Sequence, residues 1–115
     1  MMGMRITRLA DATPFHPPGH RGVAPVRLQG GEATPTEGFT VSLSHYLPGG
    51  QAEMAPQPAE TVYVVVAGEL VVISEGTEET IRQFDSAHFT VGTVRQVINR
   101  TNLPASMLVV RSTKA

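Results

Sequence analysis

The chain contains no cysteine and no tryptophan, and its single lysine is Lys114. The absence of cysteine excludes disulfides, thiolate nucleophiles and thiolate metal sites, so any metal would have to be held by His, Asp or Glu. Aromatic residues make up only 5% of the sequence, which argues against a base-stacking surface for single-stranded nucleic acid. Because 10 acidic residues nearly balance 9 basic ones, we expect neither nucleic acid nor an anionic membrane as a partner.

Long apolar runs are also missing. No segment approaches the ~20 apolar residues of a membrane span, and residues 1–20 lack the apolar centre of a secretory signal. We therefore expect a cytoplasmic protein. No G-x-S-x-G motif occurs and no Gly-rich segment opens a helix, which excludes a hydrolase nucleophile elbow and a nucleotide phosphate site. At 115 residues the chain is long enough for one domain with its own core.

What the sequence does contain is a series of short apolar segments separated by turn residues. Residues 61–68, TVYVVVAG, are β-branched or apolar at nearly every position, which predicts a strand covered on both faces. The turns around Gly68 and Gly76 predict two successive hairpins. About nine short antiparallel strands without a helix predict an all-β sandwich or barrel over residues 23–115.

Residues 39–47, FTVSLSHYL, alternate cleanly and predict a strand with one apolar face. That face carries Phe39, Val41, Leu43, His45 and Leu47. His45 on such a face is most simply a core histidine with a satisfied hydrogen bond. If it instead opens into the barrel, it is the best candidate for a general acid or base.

Residues 1–22 are rich in Pro, Gly and Met and show no sustained period. We predict a partly ordered arm, with one short strand near residues 5–9, that contacts a partner subunit. The arm cannot fold alone, and the strand at 61–68 needs a cover for its second face. Both features favour a homodimer.

These segments, over residues 38–111, resemble the two successive motifs of small single-domain cupins. The framework positions that carry the resemblance are Pro48, Gly49, Gly50, Tyr63, Gly68, Asp85, Gly92 and Asn99. The resemblance implies a double-stranded β-helix, the cupin jelly-roll barrel, which agrees with the strand count reached from the residues alone.

The same resemblance implies where a metal would bind. Cupins use His-x-His and then Glu in the first motif and one further His in the second, and these positions correspond here to Ala55, Gln57, Thr61 and Arg95. None of the four is a usual ligand of a divalent cation. We therefore expect no metal cofactor at this site, and the permanent charge of Arg95 would convert a cation site into an anion site.

Alternation along residues 93–99 places Arg95 on the face that lines the interior of cupin barrels. Our hypothesis is that its guanidinium binds the carboxylate of a small organic acid. Neutral hydrogen bonds and an apolar wall would come from Met54, Gln57, Thr61, Tyr63 and Val65. The alternative is that Arg95 pairs internally with Glu53, Glu60 or Asp85. The barrel would then be filled, and the protein would be an accessory scaffold.

The remaining histidines are predicted to be structural. His88 alternates with Ala87 and Phe89, which places it on the outside or at a subunit contact. His16 and His20 have a spacing that could chelate a metal on a helix, but two prolines and a glycine lie between them. We therefore predict that both belong to a flexible surface arm.

A small enzyme is the other class of function that the sequence allows. Glu60 lies one residue before the Glu position of cupins, so a shift of register would restore it as a ligand. With His45 and Glu53 it would form an irregular divalent metal site, as in an isomerase, cyclase, decarboxylase or dioxygenase. Without a metal, His45 and Glu60 would act as an acid and base pair. The alternative for Glu60 is a solvent-facing carboxylate.

Overall fold

The computed structural model describes residues 3–114. It contains nine β-strands and one short 3-10 turn at Leu9–Asp11. The strands are β1 (Thr13–Pro14), β2 (His20–Gln29), β3 (Phe39–Pro56), β4 (Thr61–Ala67), β5 (Glu69–Ser74), β6 (Thr77–Arg82), β7 (Ser86–Phe89), β8 (Val94–Ile98) and β9 (Ala105–Ser112). No helix among these residues is long and apolar enough to cross a membrane.

All nine strands belong to one antiparallel sheet that curves into a nearly closed barrel. The main path runs β6-β5-β8-β3-β9-β4-β7, and β2 lies along β3 outside that path. The 18-residue β3 joins the two halves of the barrel, because its first part pairs with β9 and its second part with β8. This architecture confirms the predicted all-β jelly roll.

The Pro48-Gly49-Gly50 segment lies inside β3, although the strand predicted at residues 39–47 ends just before it. Gly49 has a φ of 79°, a conformation that favours glycine. A Cβ on Gly50 would collide with the carbonyl oxygen of Gly22. The two glycines therefore let β3 bend and exchange β9 for β8 without ending the strand.

The two predicted hairpins have different outcomes. β5 and β6 pair directly, with Glu75 and Gly76 both at positive φ in the turn between them, as a tight two-residue hairpin requires. The hairpin predicted at Gly68 is wrong, because β4 pairs with β7 and β9 whereas β5 pairs with β6 and β8. Gly68, at φ 72°, instead marks the point where the chain crosses between the two halves of the barrel.

The N-terminal segment joins the sheet earlier than predicted. No strand forms near residues 5–9, and the first strand is the short β1, which pairs with β2 opposite Val26 and Arg27. β2 begins at His20, inside the predicted arm, and His20 is paired with Ala52 of β3. Part of the arm thus packs against its own barrel.

The core lies between the inward faces of both halves. Among its fully buried side chains are Leu70, Val65, Val97 and Met107. The inward residues of β3 are Ser42, Ser44 and Tyr46, so the apolar face predicted for this strand is its outer face. His45 therefore lies outside the barrel, where its Nδ1 is 2.8 Å from Ser106 Oγ. Alternation therefore showed correctly which residues of this strand share a face. The polar face, however, is the one that points into the barrel.

Candidate anion site in the barrel

The barrel contains a cavity of about 290 Å³. Its walls come from the N-terminal segment and from β2, β3, β4, β8 and β9. The polar side chains that line it belong to His20, Ser42, Ser44, Tyr46, Tyr63, Arg95 and Arg111. A larger depression of about 570 Å³ lies outside the barrel, between the N-terminal segment and residues 31–34.

Arg95 on β8 points inward as predicted, and it is only 6% exposed. Its Nε donates to the hydroxyl of Tyr63 at 2.7 Å, and its Nη1 donates to the backbone carbonyl of Glu53 at 2.9 Å. Both partners are neutral groups. Hydrogen bonding of Arg95 is therefore partly satisfied while its charge is not neutralised.

The carboxylates proposed as internal partners of Arg95 lie elsewhere. Glu60 Oε2 is 2.7 Å from His88 Nε2 on the surface, and Asp85 Oδ2 accepts the backbone N–H of Arg82. Glu53 gives Arg95 only its backbone oxygen. Within residues 3–114, the close pairs of basic and acidic side chains are Arg82–Glu69, His88–Glu60 and Arg100–Glu78, all at the surface.

A second guanidinium, which the sequence reasoning missed, faces the same cavity. Arg111 on β9 donates from Nε to Thr61 Oγ1 at 3.2 Å and from Nη2 to Gln57 Oε1 at 3.0 Å. Burial lowers the pKa of Arg111, and the positive charge of Arg95 acts in the same direction, although an arginine stays charged at neutral pH. Arg111 lies on the same face of β9 as Val109 and Met107, two and four residues before it. This period of two was the signal in the sequence that could have identified it.

Tyr63 and Gln57 connect the two guanidinium groups. The Tyr63 hydroxyl accepts from Arg95 Nε and also from Gln57 Nε2 at 2.8 Å, while Gln57 Oε1 accepts from Arg111. A hydroxyl that accepts twice still has its own proton to donate. The Tyr63 ring packs against Phe89 at a centroid distance of 4.9 Å. Because both rings belong to the core, this contact fixes the position of the hydroxyl in the network.

The four positions that correspond to cupin metal ligands do come together. Ala55 lies opposite Arg95 in the β3–β8 register, and Gln57 and Thr61 both bind Arg111. These side chains offer one amide, one hydroxyl and a cation, which do not fit a divalent metal. In the described part of the chain, no three His, Asp or Glu side chains gather where they could hold one.

His20 is the other cavity residue that the sequence reasoning assigned differently. It lies at the start of β2, and its Nδ1 is 2.9 Å from the carbonyl oxygen of Pro18. Burial lowers its pKa, and the charges of Arg95 and Arg111 lower it further, against the raising effects of that hydrogen bond and of Glu53. The ring is therefore neutral at pH 7.

Several predicted site residues lie away from the cavity. Met54 is 48% exposed and does not line it, and Val65 is buried in the core. His45 and Glu60 have separate partners, Ser106 and His88, because β3 turns His45 outward. The irregular metal set of His45, Glu53 and Glu60 does not assemble within residues 3–114.

Comparison with known proteins gives matches to sequence and to fold. Residues 42–111 match a family model described as a cupin domain. A Mycobacterium tuberculosis protein named beta-D-galactosidase Rv1717 is 48% identical over 106 residues, which is 92% of this chain and 91% of that protein.

Solved structures resemble the fold closely. A sugar phosphate isomerase of a cupin superfamily from Silicibacter pomeroyi aligns with a TM-score of 0.71 and 26% identity, over 90% of this chain and 70% of that one. The polyketide cyclase RemF from Streptomyces resistomycificus aligns with a TM-score of 0.84 over 96% of this chain and 80% of its own. At 15% identity, the second likeness concerns the fold alone.

Proposed function

The chain belongs to the cupin family, and from that premise we propose that its barrel binds a small organic anion, a sugar acid, at the place where related barrels hold a metal. Arg95 and Arg111 would hold the carboxylate of the acid. The hydroxyl groups along the inner face of β3 would hold its polyol part.

The observation that carries this proposal is the pair of guanidinium groups without a carboxylate. The cavity lining includes Arg95 and Arg111 but no Asp or Glu side chain among the described residues. Burying a charge is costly unless an opposite charge or several acceptors compensate it. An anion in the cavity would supply that compensation, and guanidinium groups bind carboxylates with short, charge-assisted hydrogen bonds.

The sugar part of the proposal rests on size, polarity and relatives. A cavity of about 290 Å³ is just below the usual range for small-molecule sites, about 300–1,000 Å³, and suits one monosaccharide unit. Ser42, Ser44 and Tyr46 line it and offer hydroxyls that both donate and accept. The 48% identical relative is named a beta-D-galactosidase.

Hydrolysis of a β-D-galactoside is the second candidate, and the name of that relative favours it. Most glycosidases place two Asp or Glu residues on either side of the scissile bond. Among residues 3–114, no carboxylate side chain lines this cavity. The cavity therefore favours a sugar acid over a neutral glycoside, and release of nitrophenol from nitrophenyl β-D-galactoside measures the alternative directly.

We also propose that the protein acts as a homodimer through the outer face of β2, β3, β9 and β4. Strand registers align Val26, Leu43, Leu108 and Val64 in one row across β2, β3, β9 and β4. Each of these side chains is only half-buried in the single chain. A contiguous apolar patch of this kind is typical of an interface with another protein.

Calorimetric titration of D-galacturonate, D-galactonate and D-galactose tests the anion site. We expect both acids to bind and the neutral sugar to bind at least about 10-fold more weakly, since a hydrogen bond to a charged group contributes about 1.5–3 kcal/mol. Arg95→Met and Arg111→Met should each lose a similar factor. Arg82→Met, which removes an exposed arginine paired with Glu69, is the matched control. Equal binding of acid and neutral sugar would contradict the proposal.

A further inference from the structure

We propose that His20 is the catalytic base of this cavity, and that it removes the proton from the carbon next to the carboxylate of a bound sugar acid. The reaction class is epimerisation at that carbon through an enediolate. This inference rests on the proposed anion site and assigns a reaction to it.

The first support is the way His20 is held. In the neutral ring, Nδ1 carries the proton and donates it to the Pro18 carbonyl at 2.9 Å. Nε2 is then unprotonated, and it is the ring nitrogen left to meet a ligand. A hydrogen bond that fixes the tautomer in this way prepares an imidazole to accept a proton.

The second support is the rigidity of the backbone around this ring. His20 is paired with Ala52 across the β2–β3 register, and the preceding Gly19 accepts the N–H of Glu53 at 2.8 Å. Gly19 has a φ of 74°, which lets the chain turn from the proline segment into β2. Pro17, Pro18 and His20 together line the cavity, so the segment that carries the base is also a wall of the site.

The third support is the electrostatic setting. The charged groups that act on His20 are Arg95, Arg111 and Glu53, and burial together with the two arginines lowers its pKa. The imidazole is therefore in its basic form at neutral pH. The same two guanidinium groups would lie against the carboxylate, where the negative charge grows during proton removal.

The proposed step balances as follows. Nε2 of His20 takes the proton from the carbon next to the carboxylate, and the electron pair of that C–H bond forms a carbon–carbon double bond. The carboxylate becomes an enediolate with a second negative charge, which Arg95 and Arg111 stabilise. The imidazolium or water then returns a proton to the carbon, so no oxidant or other reactant is consumed.

Proton NMR in D₂O tests this step without knowledge of the natural substrate. D-Galacturonate, D-glucuronate and D-galactonate are incubated with the protein, after calorimetry has shown which of them bind. We expect the signal of the proton next to the carboxylate to disappear for at least one bound acid. A general base contributes about 10²–10⁴ in rate, so His20→Gln should slow this exchange at least about 100-fold while the same acid still binds.

His16→Gln is the matched control, because His16 lies on the same segment and is exposed. The exchange rate should rise with pH and reach its plateau at a pH lower than 6.5, the ordinary pKa of histidine, because the pKa of His20 is lowered. Binding without exchange, or equal exchange by His20→Gln and the wild type, would overturn this inference and leave the anion site in place. Failure of all three acids to bind would overturn the anion site and this inference together.

Discussion

The inner and outer faces of the first part of β3, residues 39–47, differ in a way that reverses the usual distribution of residues in a small domain. Towards the cavity this part of β3 presents Ser42, Ser44 and Tyr46, whereas its outer face carries Phe39, Val41, Leu43, His45 and Leu47. A monomer that needed only stability would bury the aliphatic face of this strand and expose its hydroxyl groups. The reversal indicates that each face is built for contact with something else.

The largest expected effect comes from charging the outer face. Leu43→Lys places an ammonium group in the centre of the valine and leucine row, where an apolar partner surface would have to desolvate it. We expect complete loss of the dimer, seen by light scattering as the monomer mass of 12.3 kDa. Val91→Lys, which replaces an apolar residue that is already 62% exposed, should leave the dimer intact. A wild-type protein that is monomeric in solution would contradict the proposed homodimer.

The next effect concerns the shared acceptor on the inner face. Tyr63→Phe deletes the oxygen to which Arg95 Nε and Gln57 Nε2 both donate. Leaving buried donors without an acceptor costs about 1–3 kcal/mol, so the free energy of unfolding in urea should fall by that amount. Tyr46→Phe also removes a cavity hydroxyl but leaves the Arg95–Tyr63–Gln57 network untouched, and it should cost less. Equal losses from the two variants would show that the network is not a unit.

A smaller effect on stability, together with a loss of affinity for the ligand, is expected from Arg111→Met. Removing a partly buried cation that has no carboxylate partner relieves its desolvation cost, but the buried Oε1 of Gln57 loses its donor. Because these two effects oppose each other, the stability of the ligand-free protein should change by less than about 1 kcal/mol. The same change should lower the affinity for sugar acids. Thermal unfolding with and without D-galacturonate measures both. A large loss of stability without ligand would mean that Arg111 is a structural residue.

The smallest effect is a dependence of stability on pH at His20. Its folded-state pKa is lowered by burial and by the two arginines, so the unfolded chain binds the proton more readily. Stability is therefore complete above pH 6.5 and falls as the pH drops from 6.5 towards the lowered pKa. His20→Gln should lose less stability than the wild type between pH 7 and 5, measured by thermal unfolding. Parallel curves would show that the cavity does not perturb this ring.

Much of the fold could be predicted from the sequence, because the positions of the strands follow from patterns of neighbouring residues. Alternation and turn residues gave nine antiparallel strands, and the inward direction of Arg95 followed from the same alternation. The crossing at Gly68 could not be predicted, since a glycine turn fixes a change of direction and not the pairing partner. The pairing of β4 with β9 joins residues far apart in sequence.

The residues of the candidate site also differ in whether the sequence could predict them. Arg111 shares a face with Met107 and Val109, so strand periodicity was sufficient to find it. His20 was not accessible to such reasoning, because two prolines and a glycine precede it and only tertiary contacts place it. The carbonyl of Gly19 accepts the N–H of Glu53 on a distant strand, and that contact brings the imidazole to the barrel.

The Tyr63 hydroxyl couples the response of Arg95 to a bound ligand with the response of Arg111. Arg95 and Gln57 share this one oxygen, and Gln57 in turn holds Arg111. A bound acid that draws Arg95 away would leave the Tyr63 hydroxyl to Gln57 alone of these two donors, and so change the hydrogen bonding of the amide that binds the second guanidinium. The two arginines should therefore respond cooperatively, and the losses of affinity caused by their separate replacement should not sum to the loss in the double variant.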